Sequence, residues 1–265
     1  MFEKYVEKLG PLDVIAATDL STVAKEQGLS LLDAQIAALG MGIVPRRYVA
    51  NVRFIGAQGQ QKLLRSAAAI VGCGALGGML CELLSRLGVG RLDIIDFDVF
   101  DETNLNRQIM CVEEDIGRSK VICAKERAMR INPALTLHAH NVRFDASNAQ
   151  ALISNSDVAL DGLDNAPDKL LLEKTCLSGN IPLVHGAIGD SMFQVATIRD
   201  DSLLGNLYAG GTENPVAGTP PCTAAACASL QAGEVLKILL GIGDIADGAI
   251  LKCDWLFWSG HVIRI

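Results

Sequence analysis

Residues 66–98 read SAAAIVGCGALGGMLCELLSRLGVGRLDIIDFD, and this stretch decides the fold class. The apolar run 67–71 predicts a buried strand, the glycine loop 72–77 follows it, and residues 76–87 predict a helix. A second apolar run at 91–96 predicts the next strand. The order is a βαβ unit with a glycine-rich turn, which is typical of doubly wound parallel sheets.

The rest of the chain continues this alternation. Strands are predicted at residues 135–140, 158–160 and 182–186, and helices at 119–131 and 167–177. Later signals predict a strand at 192–199, a Gly/Pro-rich loop at 201–221, a helix at 223–240, and short strands near Ile250 and Val262. We expect a Rossmann-like, doubly wound α/β domain over residues 46–265, whose mainly parallel sheet is extended by antiparallel C-terminal strands.

Residues 1–45 predict a separate small helical unit. Ser30 and Asp33 have capping-box spacing, and the apolar residues that follow have helical periodicity up to Gly40. The spacing also resembles a helix-turn-helix DNA-binding motif. However, this segment has three lysines and no arginine against six acidic residues, and phosphate binding needs positive charge. A packing or partner-docking role is therefore favoured.

The composition excludes several classes of protein. The formal net charge of the 265 residues is −7, which disfavours binding to nucleic acid. Charged residues and glycines break each apolar run before the roughly 20 residues that a bilayer span needs, so membrane insertion is not expected. The first residues, Met-Phe-Glu-Lys-Tyr, do not have the pattern of a secretory signal, and a cytoplasmic protein is expected.

The eight cysteines include no Cys-x-x-Cys pair. Both a disulfide framework and the usual cysteine-bound zinc site are disfavoured by this spacing. Reduced thiols are therefore predicted, and no zinc is expected.

The glycine loop predicts a nucleotide site. Gly72, Gly74 and Gly77 allow a tight turn and close approach of the backbone to phosphate, while Asp96 could accept hydrogen bonds from ribose hydroxyls. Taken alone, these residues favour NAD. The polar side chains that follow favour ATP instead, because adenylyl transfer must neutralise charge on the α-phosphate and the departing pyrophosphate. These side chains are Asp98, Asn104, Asn106, Arg107, Gln108 and Lys120.

The combined motifs resemble the ThiF/MoeB/HesA family, which is related to the adenylation domains of ubiquitin-activating enzymes. The resemblance covers roughly residues 45–265 and is far more specific than the glycine loop alone. Its motifs are Gly72-x-Gly-x-Leu-Gly77, Asp96-Phe-Asp98, Asn104-Leu-Asn-Arg-Gln108, Gly117-Arg-Ser-Lys120, Ile131-Asn-Pro133, Asp161-Gly-Leu-Asp-Asn165 and Ser229-Leu-Gln-Ala-x-Glu234.

The resemblance implies an enzyme that binds Mg-ATP and adenylates the C-terminal glycine carboxylate of a ubiquitin-like sulfur-carrier protein ending in Gly-Gly. It also implies a homodimer and a possible sulfur-donor enzyme as partner.

By motif, Gly74 and Ala75 would line the nucleotide and Asp96 would hold the ribose. Asn104, Arg107 and Lys120 would face phosphate oxygens. Asp164 would hold Mg²⁺ and Asn165 would lie beside it. Arg107, Lys120, Asp164 and Cys222 are the expected catalytic residues. Lys120 as a solvated lysine and Asp98 as a loop cap are the structural alternatives.

The chain departs from the family pattern before the glycine loop. Relatives carry Arg-Tyr-x-Arg followed by Gln or Asn, and their second arginine reaches the partner subunit's ATP site. Here the sequence is Arg47-Tyr-Val-Ala50-Asn51. Arg46, Arg47 or Arg53 could replace the missing cation, or activity is reduced. Ala50→Arg is predicted to raise adenylation.

Cys222 is the candidate for a sulfur-linked thiol, since it follows Gly218-Thr-Pro-Pro221 at a predicted helix start, where amide dipoles favour a thiolate. An apolar packing role for this cysteine is equally open, and Cys227 is expected to be buried. His185, at a strand end, is expected to be structural. The loop 201–221 could close over a carrier tail or could stay disordered without its partner.

Several functions remain open from the sequence. Within the family the substrate could instead be a peptide or a modified tRNA base, although the negative charge weakens the tRNA option. An NAD-dependent oxidoreductase and a non-catalytic carrier-binding scaffold of the same fold are the alternatives from other classes. Ala50 favours the scaffold, whereas Arg107, Lys120 and Asp164 favour the enzyme.

Overall fold

The computed structural model describes residues 1–200, 202–208 and 218–264. Its strands are β1 (Val6–Leu9), β2 (Leu12–Ile15), β3 (Ile43–Pro45), β4 (Ala67–Val71), β5 (Arg91–Ile95), β6 (Thr136–His140), β7 (Val158–Asp161), β8 (Leu183–Gly189), β9 (Met192–Ile198), β10 (Ala249–Asp254) and β11 (Ser259–Arg264). Its helices are α1 (Ala17–Gln27), α2 (Leu31–Gly40), α3 (Val49–Arg65), α4 (Ala75–Leu87), α5 (Lys120–Ile131), α6 (Ala149–Ile153), α7 (Ala166–Gly179), α8 (Leu204–Tyr208) and α9 (Pro221–Leu240).

The large sheet has the strand order β11-β10-β9-β8-β7-β4-β5-β6. Strands β6, β5, β4, β7 and β8 pair in parallel, and β9, β10 and β11 continue the sheet in antiparallel fashion. The two middle strands β4 and β7 are apolar up to the carboxyl end of β7, as strands that are covered on both faces require. The fold predicted from the sequence, including its antiparallel C-terminal extension, is confirmed.

Helices cover both faces of this sheet. Leu80 of α4, Val121 of α5 and Cys227 of α9 belong to one buried cluster, while Ile153 of α6 and Leu172 of α7 belong to a second one. The chain therefore crosses to opposite faces on the two sides of β4, which is the doubly wound arrangement. It creates a crevice beyond the carboxyl ends of β4 and β7.

Helix α9 is a core helix of this fold. By length and composition alone it could cross a membrane, but half of its apolar window is buried inside the protein. It packs against α4 and against strands β7, β8 and β9. Buried core helices pass the same test of length and composition, so the finding carries no membrane assignment.

The N-terminal unit differs from the prediction because it is not purely helical. Strands β1, β2 and β3 form a small sheet of their own beside the two helices α1 and α2. The predicted start of α2 is confirmed, since the Ser30 hydroxyl accepts the Asp33 amide at 3.0 Å. These strands were not predicted from the sequence, because each has only three or four residues and none alternates clearly between apolar and polar side chains.

Asn132 joins the start of α3 to the large domain. Its amide nitrogen donates to the Tyr48 hydroxyl at 2.8 Å and to the Ser85 carbonyl at 3.2 Å. Its side-chain oxygen accepts a hydrogen bond from Arg47 at 2.6 Å. The Ile131-Asn-Pro133 motif therefore has a structural role, because its asparagine hydrogen-bonds both to the Arg47-Tyr48 segment and to Ser85 of α4.

The loop predicted at 201–221 contains structure. Leu204–Tyr208 forms α8, and α9 begins at Pro221. Glu173 of α7 accepts the backbone amides of Leu203 and Leu204, each at 2.7 Å, and so holds the start of α8. The loop glycines 210 and 211 lie outside the described residues.

Candidate nucleotide-binding site

The candidate site lies at the switch point between β4 and β7, where the order of the strands reverses. Gly72 follows β4 with φ 87°, a left-handed conformation that favours glycine. A Cβ on Gly72 would lie 2.5 Å from the carbonyl oxygen of Gly162, which follows β7. The two turns therefore meet backbone to backbone at the edge where open α/β sheets bind ligands.

The backbone is less crowded at Gly74, two residues further along the chain. A Cβ on Gly74 would meet only the Gln108 side chain, at 3.7 Å. Gly74 is the N-cap of α4 and has no side-chain cap, so the first amides of the helix have no partner from a capping side chain. These amides suit an anion, as the sequence predicted for Gly74 and Ala75.

Asp96 lies beside the glycine loop. Its Oδ2 accepts the Cys73 amide at 2.6 Å, and its Oδ1 accepts the Asp98 amide at 2.8 Å. Each carboxylate oxygen has a second lone pair, so Asp96 can still accept hydrogen bonds from two hydroxyls. This arrangement fits the ribose role predicted for Asp96.

Lys120 begins α5 and is almost completely buried. Its Nζ lies 3.0 Å from Asp98 Oδ2, and its amide donates to the Asp98 carbonyl at 3.0 Å. The Asp98 carboxylate is half exposed, whereas the Lys120 amine is not. The lysine is therefore held at the site by an acid that an incoming phosphate could replace as its partner.

The segment 104–108 divides into structural and open residues. Asn104 completes a capping box with Asp101, whose amide donates to Asn104 Oδ1 at 3.1 Å. Its side chain is thus already used in holding the loop. Gln108 is 6% exposed, and its Oε1 has no hydrogen-bond partner within the described residues. A buried oxygen without a partner costs stability, so Gln108 is available for a ligand group next to Gly74.

Arg107 and Asn106 lie at the rim of the site. One guanidinium nitrogen of Arg107 donates to the Thr103 carbonyl and to Asn106 Oδ1, both at 2.8 Å. The Asn106 amide nitrogen donates to the Thr219 carbonyl at 3.3 Å. Thr219 lies just before α9, so this contact links the rim to the segment that carries Cys222.

Asp164 and Asn165 complete the edge after β7. Asn165 is the N-cap of α7, because its Oδ1 accepts the Asp168 amide at 3.0 Å. Asp164 is exposed, and among the described residues it accepts a 3.3 Å hydrogen bond from Asn165. An exposed carboxylate with free lone pairs suits Mg²⁺, which prefers oxygen ligands.

Arg143 was missed by the sequence reading. Its guanidinium carbon lies 5.5 Å from the centroid of the Phe97 ring, and its Nη2 lies 3.7 Å from Asp168 Oδ2. The residue follows β6, at the same carboxyl edge of the sheet as Asp96 and Asp164. The signal that could have found it is this position, three residues after a predicted strand end.

Beneath the edge, Asp161, Lys169 and His185 form a buried network that sequence reasoning also missed. Lys169 Nζ lies 3.0 and 2.9 Å from the two Asp161 oxygens, and His185 Nδ1 lies 2.7 Å from Oδ2. Burial lowers the pKa of His185, while Lys169 and His185 hold the pKa of Asp161 below its usual value despite burial. His185 is therefore a structural neutral imidazole, in agreement with its expected role.

The thiols separate clearly by exposure. Cys222 lies at the start of α9, as the sequence predicted, and it is exposed, which does not fit the alternative role of apolar packing. Cys227 is buried, as expected. Burial raises the pKa of Cys227 to about 12, so this thiol is not nucleophilic. No disulfide joins any pair of described cysteines.

The carboxyl edge of the large sheet as a whole fits a nucleoside triphosphate. It combines open helix amides at Gly74, a carboxylate with spare lone pairs at Asp96, cations at Lys120 and Arg107, and the unpartnered Gln108 oxygen. A fold and site of this kind are typical of nucleotide-binding α/β enzymes.

A family model described as the ThiF family matches residues 46–265. The chain belongs to the ThiF family, and its enzyme class is that of the adenylyltransferases. It is 35% identical over 209 residues to the SAMP-activating enzyme E1 of Haloferax volcanii, covering 76% of this chain and 77% of that protein.

It is also 33% identical over 218 residues to the sulfur carrier protein adenylyltransferase of Thermus thermophilus, covering 76% of this chain and 79% of that protein. A crystal structure of E. coli MccB with MccA-N7isoASN shares the fold. Its TM-score is 0.74 at 18% identity, over 83% of this chain and 72% of MccB.

Proposed function

We propose that the protein uses ATP to adenylate the C-terminal glycine carboxylate of a ubiquitin-like sulfur-carrier protein. The observation that carries this proposal is the polar edge around Gly74, where the uncapped amides of α4 lie beside Gln108, whose buried oxygen has no partner among the described residues. Lys120 is held at the same edge by Asp98. The names of the two curated relatives support an adenylyltransferase acting on a carrier of the sulfur or SAMP type. The pathway is thiamine or molybdopterin-type sulfur transfer.

In the proposed reaction a carrier carboxylate oxygen attacks the α-phosphorus of ATP. A phosphorus–oxygen bond to the carrier forms, the bond to the β-phosphate oxygen breaks, and pyrophosphate leaves with the electron pair. The resulting acyl adenylate is activated because AMP is a far better leaving group than oxide. The enzyme's task is to place the two anions together and to neutralise the charge that develops.

Each residue at the edge has a stated role in this proposal. Asp96 accepts hydrogen bonds from the ribose hydroxyls, and the amides of Gly74 and Ala75 bind phosphate. Lys120 and Arg107 stabilise negative charge on the phosphates, with Asn104 shaping the loop that holds Arg107. Asp164 holds Mg²⁺, which when bound would neutralise phosphate charge.

The protein acts as a homodimer in this proposal, and Arg53 supplies the cation that Ala50 lacks. Arg47 is occupied by Asn132 and the Ile131 carbonyl, and Arg46 lies 3.5 Å from Glu7. Arg53 is exposed and makes no hydrogen bond or ion pair with any described residue. It lies three positions after Ala50 on α3, so both residues face the same side of the helix.

The carrier docks on the apolar turn of the β10–β11 hairpin in this proposal. Trp258 is 97% exposed and Phe257 is 75% exposed, which is unusual for side chains of this size. The neighbouring Trp255 donates its indole N–H to the Thr223 hydroxyl at 2.8 Å, one residue after Cys222. The turn therefore lies beside the exposed thiol, where a bound carrier tail could meet a sulfur-donor enzyme.

Five further parts of the proposal rest on the sequence. The division between residues 45 and 46 separates two domains, and the protein is cytoplasmic, where ATP is abundant and thiols stay reduced. From the cysteine spacing, which lacks paired positions, no zinc is expected. Neither nucleic acid nor membrane is a partner. Cys222 takes part in the sulfur-transfer step.

The first experiment is ATP–pyrophosphate exchange with Mg²⁺ and candidate carriers that end in Gly-Gly. Carrier-dependent exchange should be lost in Asp164→Ala and retained in Asp244→Ala, an exposed aspartate far along the chain. Exchange that is absent while ATP and carrier both bind would favour the scaffold. Binding of NAD without binding of ATP would favour an oxidoreductase.

Three variants sharpen this experiment. Arg53→Ala should lower the exchange rate and Arg53→Ala with Ala50→Arg should restore it, because either position supplies the cation. Trp258→Ser should raise the carrier concentration needed for half-maximal exchange while leaving the ATP requirement unchanged. An unchanged exchange rate in Arg53→Ala would remove this residue from the proposal.

A further inference from the structure

A second polar cluster lies on the large sheet away from the glycine loop. Asp93 on β5 lies opposite His138 on the edge strand β6 in parallel register, and His140 follows two residues later. Residues two apart on a strand face the same side of the sheet. The three side chains therefore meet on one face, built on two adjacent strands rather than on a loop.

Their donor atoms converge. Asp93 Oδ1 lies 3.0 Å from His138 Nδ1 and 3.0 Å from His140 Nε2. The three ligand atoms all lie within 4.8 Å of one another. Zinc bonds of about 2.0 to 2.2 Å in a tetrahedron place neighbouring ligand atoms about 3.3 Å apart. Small side-chain rotations would bring all three atoms to that spacing.

The Asp93 carboxylate is already oriented for binding a metal ion. Arg91 Nε donates to Asp93 Oδ2 at 3.0 Å, and Arg91 Nη2 donates to the Asn155 carbonyl at 2.5 Å. The other oxygen, Oδ1, is thereby directed at the two imidazoles. Groups that orient a ligand from behind are a regular part of metal sites.

Exposure leaves room for an ion to enter. The Asp93 side chain is 9% exposed, whereas the side chains of His138 and His140 are 52% and 32% exposed. Solvent thus reaches the imidazole side of the cluster, where water can fill a fourth position. The buried carboxylate supplies the negative charge that a cation requires.

We propose that Asp93, His138 and His140 bind a divalent transition-metal ion of the zinc type. Imidazole nitrogens suit zinc, cobalt, nickel and copper, whereas Mg²⁺ prefers oxygen ligands, so this site is distinct from the Mg²⁺ of an ATP complex. Such a site departs from the expectation that the protein binds no zinc. That expectation rested on the absence of paired cysteines, and none of the ligands proposed here is a thiol. The positive charge of Arg91 lowers the affinity relative to a site without a cation.

Metal binding would join the edge strand β6 to β5. The same edge lies next to the nucleotide site, because the Asp96 amide donates to the His140 carbonyl at 3.2 Å. An ion that binds only the folded protein raises its stability by mass action. The expected consequence is therefore a higher Tm in the presence of the metal.

The test uses zinc sulfate alone, added to full-length protein in a phosphine reductant and followed by titration calorimetry and thermal unfolding. Wild type should bind one ion per chain and show a raised Tm. His138→Ala should weaken binding by at least about tenfold, since even outer partners of ligands contribute that much. His138→Ala with His140→Ala should abolish binding. His261→Ala, an exposed histidine on β11, is the matched control and should bind as wild type does.

Other results would overturn the proposal. Wild type that shows no saturable binding excludes the site, and so does a double-histidine variant that binds as tightly as wild type. Loss of binding in Cys222→Ser would assign the ion to the exposed thiol instead. Asp93→Asn guards against a misfolded histidine variant, because it keeps the side-chain size. If Asp93→Asn stays folded by circular dichroism and still binds zinc with wild-type affinity, the carboxylate is not a ligand.

Discussion

Two polar regions meet at the carboxyl end of β7, and they are built in opposite ways. The Asp161 network is fully buried, and its charges and imidazole find partners inside the protein. The edge above it, with Asp164, Lys120 and Gln108, is exposed or incompletely paired. A closed network serves the fold, whereas an open one leaves hydrogen-bonding capacity for a ligand.

Their connection explains why both occur together. The Gln231 amide nitrogen from α9 donates to the Asp161 carbonyl at 3.0 Å, and Lys169 donates to the Gly186 carbonyl at 3.0 Å. These bonds hold the end of β7 against β8 and α9. The Gly162 turn, which follows directly, is thereby pressed against Gly72, so the closed network positions the open edge.

The largest expected effect is on stability, from breaking the closed network. Lys169→Ala leaves the Asp161 carboxylate buried without its cation, and removal of one partner of a buried ion pair costs about 3–5 kcal/mol. Urea denaturation measures this loss. Lys174→Ala on the same helix is the control, since Lys174 is exposed. A loss below about 1 kcal/mol would show that water reaches Asp161.

The next effect is on activity, from the open edge. Lys120→Ala should lower kcat/KM for adenylation about 10²–10³-fold, as removal of one group that stabilises developing charge does elsewhere. Lys125→Ala, an exposed lysine of the same helix, should leave kcat/KM unchanged. A Lys120 variant that keeps wild-type kcat/KM would reduce the lysine to a structural partner of Asp98.

Gln108 sharpens the comparison because stability and binding should move in opposite directions. Gln108→Met removes a buried oxygen that has no partner, so the free energy of unfolding should stay level or rise by about 1 kcal/mol. ATP binding, measured by calorimetry, should weaken by about tenfold, which is the 1.4 kcal/mol scale of one hydrogen bond. Destabilisation without loss of ATP affinity would show that the Gln108 side chain stabilises the fold and does not bind the ligand.

The smallest effect is the pH dependence of stability. Because burial lowers the pKa of His185 below 6.5, the unfolded state binds a proton below pH 6.5 that the folded state excludes. Stability should therefore fall as pH drops from 6.5 towards the lowered pKa, by up to about 1.4 kcal/mol per pH unit. His185→Gln should flatten this slope in urea denaturation between pH 6.5 and 5. An equal slope in both proteins would contradict a neutral His185.

The sequence predicted the large sheet well because its elements carry strong local signals. The run Ala67–Val71 is fully apolar, the glycines after it are closely spaced, and α4 ends at Gly88 in the left-handed conformation. The strands of the N-terminal unit lacked such signals. Helix α3 was also missed, since Gly56 with φ 72° interrupts its helical backbone and weakens the periodicity.

For the site, the structure shows which atoms of the predicted residues are already used by the fold. Asn104 was assigned to phosphate, but the structure uses its side chain in a capping box with Asp101. Lys120 was weighed as a solvated lysine, yet it is buried against Asp98. Motif order locates a residue along the chain, whereas hydrogen bonds decide which of its atoms remain available.

The sequence by itself determined the βαβ order, the glycine turn and the family, because these depend on residues near one another along the chain. Only the tertiary structure decided which arginine is free, since Arg47 meets Asn132 across 85 residues while Arg53 meets no described partner. The same holds for the buried Asp161 network and for the Asp93 cluster, whose members lie 24 and 45 residues apart. Parallel strands bring distant segments side by side, and no local pattern records which side chains then face each other.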